Sequence, residues 1–214
     1  MSYSREERLA LSALLEKTGP DAPTLCEGWT TGDLAAHLVL RERRPDAAAG
    51  VLGGPLAAYT ARVQRHMRAR IPFADLVRMI RSGPPAFSFM AIPGVDERTN
   101  LVEFFVHHED VRRGAPGWEP RTISAGESDL LWQRLRAAKF MLRRAPVGVE
   151  LAREDTGADG QAYRITAKNA TPVVTIIGSP AELTMWVMGR KGAARVRFDG
   201  TDAAVERLTG ANAR

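Results

Sequence analysis

The apolar period of the chain changes at Pro146, and this change limits the fold more than any other feature. Before it, apolar residues recur every three or four positions, as on helices that bury one face. After it they alternate with polar or small residues, as in half-buried strands. The expected class is therefore α+β. An N-terminal four-helix bundle would occupy residues 1–145, and a small α+β domain would occupy 146–214.

Helix starts and stops are written locally. Ser4-Arg5-Glu6-Glu7 has the spacing of a capping box ahead of Leu9, Leu11, Leu14 and Leu15, which predicts a helix over 4–17. Thr18 to Pro23 breaks it. Thr30-Thr31-Gly32-Asp33 repeats the pattern and opens a helix that turns Leu34, His37 and Leu38 inward. Helices are expected over 56–70, 74–81 and 96–113, the last stopped by Gly114-Ala115-Pro116-Gly117. A loop carrying Phe87, Phe89 and Met90 separates the latter two. Ser124-Ala125-Gly126-Glu127 starts a helix expected to reach 144. Beyond Pro146, 147–153 and 162–168 read as a hairpin around the turn 155–160. A buried strand over 172–178, a helix from Ser179, a strand over 194–198 and a helix from Thr201 follow.

Bulk properties exclude several classes of function. No run of 18 apolar residues exists, so no membrane-spanning helix is expected. The charged first residues lack a secretory pattern, and the single cysteine, Cys26, leaves no intramolecular disulfide; both fit a cytoplasmic protein. A net charge of +5 and a pI near 9.9 raise the question of nucleic acid. The arginines are scattered at helical spacing (41, 43 and 44; 62, 65, 68 and 70; 134, 136, 143 and 144), which reads as solvated faces. With no DNA- or RNA-binding signature, specific nucleic-acid binding is not expected.

Chemistry concentrates on the histidines. Glu103 and His107 lie four residues apart in LVEFFVHHEDVRR, on one face of a helix. Such a pair can be an intrahelical hydrogen bond, or two ligands of one cation. The neighbours Val102, Phe104, Phe105 and Val106 make the helix apolar nearly all round, and a buried carboxylate there needs a strong partner. His37, on the second helix, can supply a third ligand, since bundles build metal sites from facing helices. Asp110, three residues after His107, is placed to orient that imidazole. His108 points about 100° away and reads as an outer group, or as a partner of Glu109 or Asp110. His66, among arginines, reads as exposed. Cys26 and Trp29 read as packing residues, Cys26 because it lies about three helical turns from His37 along the chain.

These residues resemble a known family. Cys26 to Leu38 matches the pattern Cys-x-Gly-Trp-(Ser/Thr)-x-x-Asp-Leu-x-x-His-Leu of the DinB-like metal-binding bundles, in particular the mycothiol-dependent maleylpyruvate isomerase group. Glu103, His107 and Asp110 match its second motif. The resemblance implies that His37, Glu103 and His107 bind zinc or another divalent ion. The C-terminal third resembles the α+β domain of the same isomerases, similar to sterol-carrier-like folds. Arg190 is matched to an arginine that reaches the active site there; its alternative is a cation at a helix C-terminus. The runs PGVDERTNLVEFF and HHEDVRRGAPGWEP look more like an uncharacterised actinobacterial branch recognised as metal-binding, so the isomerase substrate does not carry over.

A three-ligand zinc with an open position can activate a thiol or a water. The resemblance favours a thiol, mycothiol, acting on an unnamed small substrate in a transferase or isomerase. Alternatives are a non-enzymatic, metal-stabilised small-molecule-binding module and a zinc-dependent hydrolase. Oligomeric state stays open, a homodimer included.

Overall fold

Helix α1 (Tyr3–Thr18) begins one residue before the expected capping box, with Ser2 at its N-cap. Ser4 lies inside the helix, and Glu7 accepts from His108 on another helix. The computed structural model describes residues 2–51, 53–85, 95–154 and 163–210, without the side chains of 95–99. The expected loop with Phe87, Phe89 and Met90, the turn 155–160 and Ala162 lie outside the described residues.

The fold is α+β, and packing divides the chain into Met1–Glu119 and Pro120–Arg214. This division comes before the 145/146 boundary expected from the change of period. The reason is that helix α7 (Ala125–Arg134) packs against α9 (Pro180–Val187) of the second unit.

In the first unit α2 (Thr31–Arg43), the short α3 (Pro45–Ala48), α4 (Ala57–Arg70), α5 (Phe73–Ser82) and α6 (Val95–Arg112) join α1. α1 packs against α6 and α5, and α2 packs against α4 and α5. Leu11, Leu15, Leu34, Leu38, Ile80 and Phe104 meet in one core and are essentially solvent-free. A buried ion pair crosses it. Arg8 grips Glu42 through two nitrogens at 2.6 and 2.9 Å, donates to the Ile80 carbonyl at 3.1 Å, and stacks 4.2 Å from the centroid of Phe104.

The second unit carries, among the described residues, a four-stranded sheet of order β2-β1-β3-β4. The strands are β1 (Gly148–Arg153), β2 (Arg164–Lys168), β3 (Val173–Gly178) and β4 (Arg197–Asp199). β1 pairs antiparallel with β2 and parallel with β3, and β3 pairs antiparallel with β4. Val149, Leu151, Val174 and Ile176 bury one face against Leu183 and Trp186 of α9 and Leu208 of α10 (Asp202–Gly210). The helix expected to reach 144 is interrupted: a 3-10 turn at Leu135–Ala137 joins α7 to α8 (Ala138–Met141). Residues three apart eclipse in such a turn, and Leu135 and Ala138 both enter this core.

No helix of the described residues is long and apolar enough to cross a membrane.

Candidate metal centre

Two helices and one loop build the centre. A reciprocal cap fixes the start of α2: Thr30 N donates to Asp33 Oδ2 at 3.0 Å, and Asp33 N donates to Thr30 Oγ1 at 3.4 Å. His37 follows just over one turn after Asp33. On α6, four consecutive polar residues share a buried segment, and the 100° step between them sends them to different partners. His107 faces α2. His108 donates from Nδ1 to Glu7 of α1, at 2.9 Å. Glu109 accepts from Arg112 at 2.8 Å and from Arg113 at 2.5 Å. Asp110 turns back toward His107. The loop before α2 lies close on the end of α6 because Gly114 has no side chain. A Cβ there would meet the Pro23 carbonyl oxygen at 2.3 Å. Leu25 N then donates to the Asp110 carbonyl at 3.0 Å.

Glu103 Oε1 is the meeting point. His37 Nε2 lies 3.2 Å from it and His107 Nε2 lies 3.0 Å from it. The three donor atoms fall within 4.8 Å of one another, and the three side chains are 7, 19 and 9% exposed for His37, Glu103 and His107. Tetrahedral zinc with bonds of about 2.0–2.2 Å holds its ligand atoms about 3.3–3.6 Å apart. The two nitrogen–oxygen distances come within a few tenths of an ångström of that, so a small opening would seat an ion.

The hydrogen positions support the fit. His107 Nδ1 lies 2.8 Å from Asp110 Oδ2 and donates to it. A neutral His107 would then turn the lone pair of Nε2 on Glu103 Oε1, acceptor against acceptor. Something positive must stand between them. In the metal-free protein that is a proton. Burial works against it, but the hydrogen bonds of His107 to Asp110, Cys26 and Glu103 hold its imidazole charged well above the usual histidine range. Burial likewise opposes ionisation of Glu103, yet hydrogen bonds from His107 and His37 keep it well below the usual carboxylate range. His37 is pushed down, first by burial and then by the neighbouring His107 and Arg41, against the upward pull of Glu103. A divalent ion would replace the proton and satisfy all three donors.

Other expected residues fall differently. His108 is turned away to Glu7, so it joins neither the centre nor Glu109 or Asp110. His66 is exposed. Trp29 packs on the core, and its ring also stands 5.0 Å from that of His37, so it walls the centre. Cys26 lies far from His37 along the chain, but the loop carries it to the other side of His107: Sγ is 3.2 Å from Asp110 Oδ2 and 4.0 Å from His107 Nδ1. Arg41, expected on a solvated face, is 14% exposed and lies 3.4 Å from Glu103 Oε1. Its place one turn after His37 was a legible signal; Cys26 had none beyond its motif. In the second unit, Arg190 donates from its guanidinium to the Met188 carbonyl at 2.6 Å, in the turn after α9.

Residues 4–86 match the family model described as the mycothiol maleylpyruvate isomerase N-terminal domain. The match takes in Cys26 to Leu38 and ends before Glu103. No curated protein and no solved structure matches the chain.

Proposed function

We propose, from the match of residues 4–86 to the mycothiol maleylpyruvate isomerase N-terminal domain, that the chain is a divalent-metal protein that activates a small thiol for a transferase or isomerase reaction. One observation carries the reading: His37 Nε2 and His107 Nε2 converge on Glu103 Oε1 from separate helices, at 3.2 and 3.0 Å. Two imidazoles and one carboxylate are a donor set for zinc that leaves a position for an outside ligand. Zinc in such a site lowers the pKa of a thiol brought to that position, as it does for water. The family's name supplies the candidate thiol, mycothiol.

The chain's own groups have distinct tasks in this reading. Asp110 holds the Nδ1 proton of His107, which points the Nε2 lone pair at the ion. Trp29 closes one side of His37 against water. The hydrolase alternative needs a further base. Glu109 is taken by Arg112 and Arg113, and Asp110 lies on the Nδ1 side of His107, away from Glu103. The thiol reading is therefore preferred.

Metal content of the purified protein, followed by cobalt(II) substitution, tests this. One equivalent should bind to the wild type and be lost in His37→Ala and His107→Ala, and an added thiol should raise a sulfur-to-cobalt charge-transfer band. A wild type that binds no divalent ion at micromolar concentration would refute the reading. Metal uptake without any thiol band would leave a metal-stabilised module.

A further inference from the structure

We propose a second cation position on the opposite edge of His107, built from Cys26 Sγ, His107 Nδ1 and Asp110 Oδ2 and suited to a thiophilic divalent ion. These three side chains form a donor set by themselves. The effect of that position on the first one rests on the metal-centre reading above.

The three atoms are already spaced for an ion. Sγ lies 3.2 Å from Oδ2 and 4.0 Å from Nδ1, and Nδ1 lies 2.8 Å from Oδ2. A point equidistant from atoms so placed lies about 2.0 Å from each, against zinc bonds of about 2.3 Å to sulfur and about 2.0–2.2 Å to nitrogen and oxygen. A slight opening and a turn of the imidazole would complete the fit. A thiolate favours soft, sulfur-seeking cations, and the imidazole and carboxylate complete the set.

The backbone presents the thiol. Leu25 N donates to the Asp110 carbonyl at 3.0 Å, Cys26 N donates to Thr24 Oγ1 at 3.2 Å, and Trp29 N donates to the Cys26 carbonyl at 2.9 Å. These bonds fix the loop on both sides of Cys26 and tie it to the end of α6. Asp110 and His107 are buried, while Cys26 is half-buried, so the thiol is the member that meets solvent and an incoming ion first.

His107 belongs to both donor sets, through different ring nitrogens. An ion on Sγ, Nδ1 and Oδ2 displaces the thiol proton and the Nδ1 proton to solvent. Nε2 then keeps its proton and donates it to Glu103 Oε1, 3.0 Å away. An ion on Nε2 needs the opposite tautomer, with the proton on Nδ1. A neutral imidazole has one lone pair to give, so the two positions exclude each other. Filling the Cys26 position takes His107 from the thiol-activating set and leaves it two ligands, His37 and Glu103. Cobalt(II), less thiophilic than cadmium, still reports the Nε2 side.

The test uses the full chain, free of added thiol, with cadmium as the probe. A sulfur-to-cadmium charge-transfer band in the ultraviolet reports ligation by Cys26, since the sequence has no other cysteine. His37→Ala, which breaks the Nε2-side set, should take up one cadmium at micromolar concentration and show the band. Glu103→Gln breaks the same set and carries the test if His37→Ala does not fold. Cys26→Ser and His107→Ala should lose the band at that concentration. Cobalt(II) at ten times its own dissociation constant should raise the cadmium needed by wild type about tenfold, by simple competition, and leave His37→Ala unchanged. No band in His37→Ala or Glu103→Gln, or a band of undiminished affinity in His107→Ala, overturns the Cys26 position and leaves the metal-centre reading standing. A wild-type band indifferent to bound cobalt overturns the exclusion. Failure of wild type to take up cobalt overturns the metal-centre reading, and the cadmium band still decides the Cys26 position.

Discussion

Cys26 and Asp110, 84 residues apart in sequence, are hydrogen-bonded: Sγ donates to Oδ2 across 3.2 Å. The same oxygen accepts from His107 Nδ1 at 2.8 Å. Asp110 is fully buried and thereby fixed from two sides. The imidazole it orients presents Nε2 to Glu103, so the thiol acts on the centre through Asp110 and not by ligation on the Nε2 side.

Removing the carboxylate charge should loosen metal binding. Asp110→Asn is expected to weaken zinc affinity by about 10–100-fold, the usual cost of losing such an orienting group. Cys26→Ala leaves the bond from His107 to Asp110 in place and should cost less than about tenfold. Competition with a chromophoric chelator reads both. Unchanged affinity in Asp110→Asn would mean that His107 is oriented by other contacts.

The buried pair of Arg8 and Glu42 should behave asymmetrically. Each side chain is at most 4% exposed, so Arg8→Met or Glu42→Leu alone strands a buried charge and should cost about 3–5 kcal/mol. The double variant removes both charges and should recover most of the loss. Urea unfolding of the four proteins measures the coupling. Additive losses would show that the pair does not act as a unit.

Gly114→Ala should be destabilising although alanine favours helices. The new Cβ would meet Pro23 oxygen at 2.3 Å and Thr24 Cα at 2.8 Å, both backbone, so the loop must move. A cost of about 1–3 kcal/mol is expected. Displacing this loop also pulls Leu25 and Cys26 from Asp110, so zinc affinity should fall in the same variant. A fully stable Gly114→Ala protein would show that the loop yields at no cost.

Glu109 gives a pH dependence with a definite sign. Burial raises its pKa, but the hydrogen bonds and charges of Arg113 and Arg112 outweigh this and hold it below its ordinary value of 4.5. The unfolded chain therefore takes up the proton first as pH falls. The stabilisation is complete above about pH 5 and is lost as pH drops through the ordinary glutamate value toward the folded one. Glu109→Gln should cost about 3 kcal/mol at pH 7, and the difference from wild type should shrink below pH 4. Urea midpoints at a series of pH values read it. A difference constant with pH would exclude the ion pair as its source.

Local pattern alone determined the elements that carry the candidate ligands His37, Glu103 and His107. The cap at Thr30 and Asp33 and the apolar stripe after it specify α2, and the Gly-Pro stop after Arg113 ends α6 near its observed end. Four-residue spacing put Glu103 and His107 on one face of α6 because a helix repeats every 3.6 residues. The same rule applied to α2 would have placed Arg41 beside His37; its charge had suggested solvent. Tertiary structure decided the rest. Separation along the chain argued against Cys26, but a loop can bring distant residues together at a cost that grows only slowly with its length. Asp110 orients His107, while its neighbour Glu109 binds two arginines and His108 turns to Glu7. Those choices depend on which helix packs against which face of α6, and neither period nor composition encodes that. Ser4 and Glu7 had the spacing of a cap, yet α1 starts at Tyr3 with Ser2 at its N-cap, which puts Ser4 inside the helix, and Glu7 accepts from His108 on a facing helix, a pairing that only the packing of α1 on α6 decides.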